Sequence, residues 1–349
     1  MEIGRASVRP KGERHPEAVR VKLVLRLATV WRLLCASHPS NRAPRRAILS
    51  WIVFPFSLVG AAVIVATVYV WRWRIRSRNR RTPLTSDLLR PPGYSVQQNL
   101  QDAMWDVATY LGIALFMPPL FVAVYVVNRA ANSVSAYTGG VVFLTAGFIS
   151  LGWIVKDLWK TLHRVQRLRL GFDAEAATGE ELNQLARRGF WVFHDVPGER
   201  FNIDHVVVGP TGVFAVETKG RSKPIKSKEG EATAEVVYDG RSLRFPGWTE
   251  TKPLEQARRN AKWLQAWLSS AVGESVYVDS VLSLPGWFVT RTVRNGLAVL
   301  NPRNAEYFFC KPRGVALTDT MIQRIAHQLE QRCRDVGPSA YVQAEKKAA

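Results

Sequence analysis

The stretch Asn202 to Gly220 reads NIDHVVVGPTGVFAVETKG. Two runs rich in Val and Phe, Ile203 to Val208 and Val213 to Thr218, flank Gly-Pro-Thr-Gly, the pattern of a hairpin of two buried strands. If the four turn residues close symmetrically, Val208 lies opposite Val213, and counting outward places Asp204 opposite Glu217. Side chains alternate along a strand, so Glu217 and Lys219 share a face and Asp204 meets them across the ladder. Two acids and an amine converge at the end of an otherwise apolar hairpin.

Neighbouring buried carboxylates raise each other's pKa and resist ionisation unless something neutralises them. A divalent cation does so. Hard oxygen ligands on one face suit Mg²⁺ or Mn²⁺, with Lys219 placed to polarise a water or to stabilise charge on a phosphate. The same residues read equally as a structural ion pair, Glu217 with Lys219, on an edge strand.

Three further motifs accompany the hairpin core Gly212-Val-Phe-Ala-Val-Glu217-Thr-Lys219-Gly220. They are Gly179-Glu180 opening a helix, Asp204-His205 with its Val run, and Pro253-Leu-Glu-Gln256 leading a helix. In this order they resemble the nuclease-related domain, NERD, of the PD-(D/E)xK restriction-endonuclease-like superfamily, over roughly Ala174 to Phe309. The resemblance implies an α/β fold, a restriction-endonuclease-like mixed sheet flanked by helices. It implies an active-site set of Glu180, Asp204, Glu217, Lys219 and Gln256, with Asp204, Glu217 and Glu180 around Mg²⁺ or Mn²⁺, and DNA or RNA as partner. Ile203 stands where the literal motif has proline. Without the resemblance, Glu180 reads as a solvated acid in a helix, and His205, on the face opposite Asp204, as a packing group.

Charge divides the chain. Of 48 Lys and Arg and 28 Asp and Glu, residues 1–170 hold 24 basic and 7 acidic, a net of +17, leaving +3 for residues 171–349. The high pI is therefore a property of the N-terminal half and weak evidence for nucleic-acid binding. Cys35, Cys310 and Cys333 are too few and too scattered for a disulfide framework or a zinc motif, which fits a reducing compartment.

The N-terminal half reads as membrane-embedded. After a basic tail, 1–46, Ala47 to Trp71 carries no charge in 25 residues and has Trp51 and Trp71 near its ends, as a spanning helix does. A basic linker, 72–108, leads to two more apolar runs, Thr109 to Val127 and Tyr137 to Val155, which make a helical hairpin within 109–155. A basic juxtamembrane helix, 156–170, follows, then the nuclease-like domain, 171–335, and a tail, 336–349. Twelve basic residues beside the spans on the linker side against five on the other place the C-terminal domain in the cytoplasm of a multi-pass protein of the bacterial-type inner (plasma) membrane. No ionisable residue interrupts the spans, which disfavours a transporter.

Within the domain, Asp173 to Arg188 reads as a helix closed by Gly189 and Phe190 to Val196 as a strand. Asp239-Gly240 reads as a two-residue hairpin turn, and Pro253 to Ser269 as a helix carrying Gln256, Asn260, Trp263 and Trp267 on one stripe. Ser275 to Leu284 and Gly296 to Leu300 read as strands, and Thr318 caps a closing helix. The expected function is a membrane-anchored, metal-dependent nuclease. The alternative is a catalytically inactive membrane-tethered nucleic-acid-binding or scaffold module on the same fold.

Overall fold

A computed structural model describes residues 84, 86–131, 136–224, 234–312 and 316–337, with parts of a helical stretch between 63 and 74. The expected N-terminal tail, most of the first span and all but residues 336–337 of the C-terminal tail lie outside the described residues. The chain divides into two compact units, one containing residues 102–164 and the other residues 82–101 with 165–349.

The first unit includes parts of two long helices, α1 (Tyr94–Ala131) and α2 (Ala136–Asn183). Each is long and apolar enough to cross a membrane. Leu115, Phe116, Leu144, Phe148 and Ile149 are exposed on them, an arrangement that water penalises and hydrocarbon does not. Tyr125 lies against Gly139 and Gly140, where a missing Cβ leaves room for its ring. Helix α1 begins at Tyr94, inside the stretch read as linker, because no proline or glycine follows Pro91-Pro92-Gly93 before Gly112. Helix α2 likewise runs without a break past Gly171, where the sequence suggested a boundary.

The second unit is a mixed α/β domain. Its main sheet has the order β10-β8-β4-β3-β2, built from β2 (Trp191–Pro197), β3 (Asn202–Gly209), β4 (Gly212–Thr218), β8 (Val278–Ser283) and β10 (Ala298–Leu300). Strands β2, β3 and β4 are antiparallel, and β4, β8 and β10 parallel. The connection from β4 to its parallel neighbour β8 includes helix α3 (Lys252–Val272), a crossover that buries one sheet face. On that face Val206, Val208, Val213 and Ala215 pack with Leu264 and Leu268 of α3. They also meet Ile325 and Leu329 of a C-terminal helix, which is numbered α5 (Asp319–Cys333) because a short helix, α4 (Ala305–Phe309), precedes it. On the other face Val207, Phe214 and Val216 pack with Leu182, Leu185 and Phe309. Period-2 burial on both faces is what near-continuous Val/Phe runs require.

The central hairpin has the register read from the sequence. Val208 pairs with Val213, and Gly209 with Gly212 around Pro210-Thr211. A smaller sheet, β7-β6-β5-β9, comprises β5 (Glu235–Tyr238), β6 (Leu243–Phe245), β7 (Trp248–Glu250) and β9 (Phe288–Arg291) around the fully buried Trp287. Here the Asp239-Gly240 turn departs from expectation. Four residues, not two, separate the paired Tyr238 and Leu243, because the Asp239 carboxylate accepts the N–H groups of Arg241 and Ser242 and so closes a wider loop. Trp263 and Trp267 lie parallel, with the Arg332 guanidinium over both rings, so they form part of the packing between α3 and α5.

Gly220 shows how tightly α2 sits on the hairpin end. A Cβ there would lie 2.5 Å from the Leu170 carbonyl oxygen and 3.0 Å from the Ala174 Cβ. Backbone cannot yield as a side chain does. Gly220→Ala is expected to cost about 1–3 kcal/mol, read as a lower denaturation midpoint of the detergent-solubilised chain.

Candidate active site

The last residues of β4 carry the site. Phe214 and Val216 belong to the face under α2, so Val213, Ala215 and Glu217 take the α3 face. Glu217 is 1 % exposed, and a bare carboxylate there would be severely unfavourable. Both of its oxygens are satisfied. Oε1 accepts from Lys219 Nζ at 2.5 Å, and Oε2 accepts from Asn260 Nδ2, on α3, at 2.7 Å. Asp204 comes from the opposite strand and accepts the Thr218 N–H through Oδ2 at 2.6 Å. The recorded β3–β4 pairing stops one step earlier, at His205 and Val216. The Asp204 side chain, not the β3 backbone, therefore receives the Thr218 amide.

Three acids influence one another here. Burial, then the charges of Glu217 and Glu175, push Asp204 well above the usual carboxylate range, against the pull of Lys219. Burial also raises Glu217, although Lys219 and Asn260 oppose it. Glu175 is raised to about 7 by burial, then by the charges of Asp195 and Glu217. Burial works against the Lys219 ammonium, but Glu217 and Asp204 outweigh it and hold the amine protonated. The site is an acid-rich cluster built around the Lys219 ammonium group.

Glu175 is the residue that sequence reasoning missed. On α2 the buried positions Ala174, Glu175, Thr178, Gly179 and Leu182 form one stripe toward the sheet. Glu180 lies five residues after Glu175, well around the helix, and is exposed. The structure therefore brings Asp204, Glu217 and Lys219 together and leaves Glu180 in solvent. Helical spacing from Leu182 and Leu185 back through Thr178 was the available signal. Gln256 is half-buried one turn before Asn260, and it is Asn260 that reaches Glu217. Gly179 is explained by packing: a Cβ there would lie 2.5 Å from Pro92.

Behind the hairpin, on the α2 face, His194 and His205 share a bond between their Nδ1 atoms of 2.8 Å, and His194 Nε2 meets Asn183 Oδ1 at 3.0 Å. Burial drives His194 down to about 4 and His205 well below its ordinary value, so both are neutral at pH 7. A neutral ring has one N–H. His194 then donates from Nε2 to Asn183, and His205 donates from Nδ1 to His194. His205 Nε2 and Thr218 Oγ1 are buried polar atoms without a protein partner. This places His205 on the side away from Asp204, as the alternation implied.

The edge of the site is basic and aromatic. Arg221 makes a bidentate pair with Glu250 at 2.8 and 2.6 Å, and Trp248 Nε1 also donates to Glu250. Lys223 lies over the Trp287 ring.

Residues 170–285 match the model of NERD, the nuclease-related domain. No curated protein and no solved structure matches the chain. The NERD match spans Asp204 of β3, Glu217 of β4 and Lys219, and includes Glu175, Gln256 and Asn260. It omits α1, most of the apolar part of α2, and α5. Among the described residues no three His, Cys, Asp or Glu side chains cluster as a ready-made metal cage.

The raised carboxyls make the fold's stability depend on pH. An acid whose folded pKa exceeds its ordinary value keeps its proton longer in the native state, so stability is greatest below the ordinary pKa and declines as pH rises to the folded one. For Glu175 that window runs from 4.5 to about 7. In EDTA, the denaturation midpoint of the solubilised chain is expected to fall across this range, and Glu175→Gln to flatten the decline. A midpoint that rises with pH in the wild type would contradict the burial of these acids.

Proposed function

We propose that the protein is a membrane-anchored, metal-dependent phosphodiesterase acting on DNA or RNA. The observation that carries this reading is the convergence of Asp204, Glu217 and Lys219 at a buried hairpin end inside the NERD match. The restriction-endonuclease-like order of an antiparallel hairpin followed by a parallel crossover supports it.

The donor set fits a hard divalent cation. Mg²⁺ commonly takes one or two carboxylates and completes its shell with water and phosphate oxygens, so the absence of a three-ligand cage is no obstacle. Asp204 and Glu217 would hold Mg²⁺ or Mn²⁺, with Glu175 beside them in the role the sequence gave to Glu180. When bound, the ion would supply Lewis acidity to water and phosphate. The chain's own part is positional. Asn260 fixes the Glu217 carboxylate, and Lys219, protonated, orients the attacking water or stabilises charge on the phosphate. Gln256, at the first turn of α3, lies where helix N–H groups favour an anion. Helices α1 and α2 would anchor the domain on the cytoplasmic side of the bacterial-type plasma membrane.

The test is Mg²⁺-dependent cleavage of plasmid and single-stranded substrates by the purified chain. Glu217→Gln and Lys219→Met are expected to reduce turnover about 10²-fold or more, Glu175→Gln substantially, and Glu180→Gln little. Wild-type rates in the Glu217 and Lys219 variants would reject the site.

A second reading has its own observation. Lys219 already neutralises one Glu217 oxygen and Asn260 satisfies the other, which an inactive binding or scaffold module would need as much as an enzyme would. Mn²⁺ titration followed by paramagnetic resonance separates the two: saturable binding lost in Asp204→Asn supports the nuclease, and no binding supports the scaffold.

A further inference from the structure

Strands β2 and β3 pair in constant register from Trp191–Val208 to Pro197–Asn202, with one step missing, the one that would join Asp195 to Asp204. Asp195 has φ 49°, the only left-handed non-glycine backbone among the described residues. The ribbon turns over at this step. Phe193 and Val206 before it, and Val196 and Ile203 after it, all enter the same core on the α3 face, which uninterrupted alternation forbids. At this turnover the Asp204 side chain leaves the β2 partnership and receives the Thr218 amide from β4.

An aspartate in this conformation is strained and persists only where its surroundings compel it. The Asp195 side chain is 3 % exposed and takes donors on both oxygens. Arg90 Nη1 donates to Oδ2 at 2.8 Å, Ser95 Oγ to Oδ2 at 2.7 Å, and Asn202 Nδ2 to Oδ1 at 3.2 Å. Arg90 Nη1 also reaches the Asp195 carbonyl at 3.2 Å. Arg90 is itself fixed by a bidentate pair with Asp335, at 2.8 and 2.6 Å. Around it a short strand, β1 (Leu88–Leu89), pairs with β11 (Arg334–Val336).

We infer that Arg90, just before α1, and Ser95, in its first turn, both outside the NERD match, are positioning residues for the candidate site. By clamping Asp195 in the left-handed region they turn the β2–β3 ribbon over and deliver Asp204 to β4 beside Glu217. The consequence for turnover rests on the nuclease reading. The consequence for Asp204 placement does not.

The experiment is amide hydrogen exchange of the full chain in detergent, read at Thr218, whose N–H bonds to Asp204, with kinetics measured alongside. In Arg90→Gln the Thr218 amide is expected to exchange at least about tenfold faster, while amides in α5 keep their protection. Glycine adopts φ 49° without a clamp. The Arg90→Gln/Asp195→Gly double variant is therefore expected to return Thr218 to within about threefold of Asp195→Gly alone. If the chain is a nuclease, kcat follows the same order with KM little changed. Unchanged Thr218 exchange in Arg90→Gln, or a double variant no slower to exchange than Arg90→Gln, overturns the inference whether or not the chain cleaves nucleic acid. Should Arg90→Gln fail to fold, Ser95→Ala removes one donor and must accelerate Thr218 selectively, or the inference falls. Absent cleavage with the expected exchange pattern counts against the nuclease reading alone.

Discussion

Carboxylates taken out of water have to be answered, and most of the second unit can be read as the answer for Glu217. Its neighbours are assembled from separate parts of the chain: Lys219 two residues on, Asn260 from the crossover helix, Asp204 from the partner strand and Glu175 from α2. Each is tied to the core by large apolar side chains of its own element, so the acids cannot drift apart to relieve their repulsion. A cluster built this way is preorganised for positive charge beyond that of Lys219, the condition under which electrostatic effects in a protein are largest.

The two faces of the main sheet divide the work. The α3 face carries Asp204, Glu217 and Lys219. The α2 face carries a neutral polar set, His194, His205 and Asn183, with Thr178 bonded to Ser283 at 3.1 Å. The strand segment Thr218–Lys219 is thus held from both sides. Burial keeps the histidines uncharged, so they order the hairpin without adding to the field of the site.

Much of this was legible in the sequence because the hairpin is governed by local rules. The Gly-Pro-Thr-Gly turn sets the register, the register sets Asp204 against Glu217, and the Val/Phe runs commit both faces to burial. What was not legible depended on tertiary choices. Glu175 and Glu180 both sit on a helix, and only the side from which α2 meets the sheet separates them. Asn260 shares its stripe with Gln256, and the helix could have entered the site one turn earlier. Asp195 looked like an ordinary strand residue, since a left-handed aspartate has no signature without its distant partners. The extension of α2 through Gly171 was hidden because one glycine weakens a helix by only about 1 kcal/mol, less than packing readily supplies. Short pieces such as β9 and α4 carry too few residues to show a period.

The pairing of β1 with β11, sealed by Arg90 and Asp335, has a practical corollary. The nuclease-like unit is drawn from two separated parts of the polypeptide, 82–101 and 165–349. Cutting the chain at the start of the family match would discard one of them. A water-soluble version is better made by excising the apolar hairpin between them and splicing the remaining ends through a flexible bridge, so that the upstream fragment stays covalently available to the body it completes.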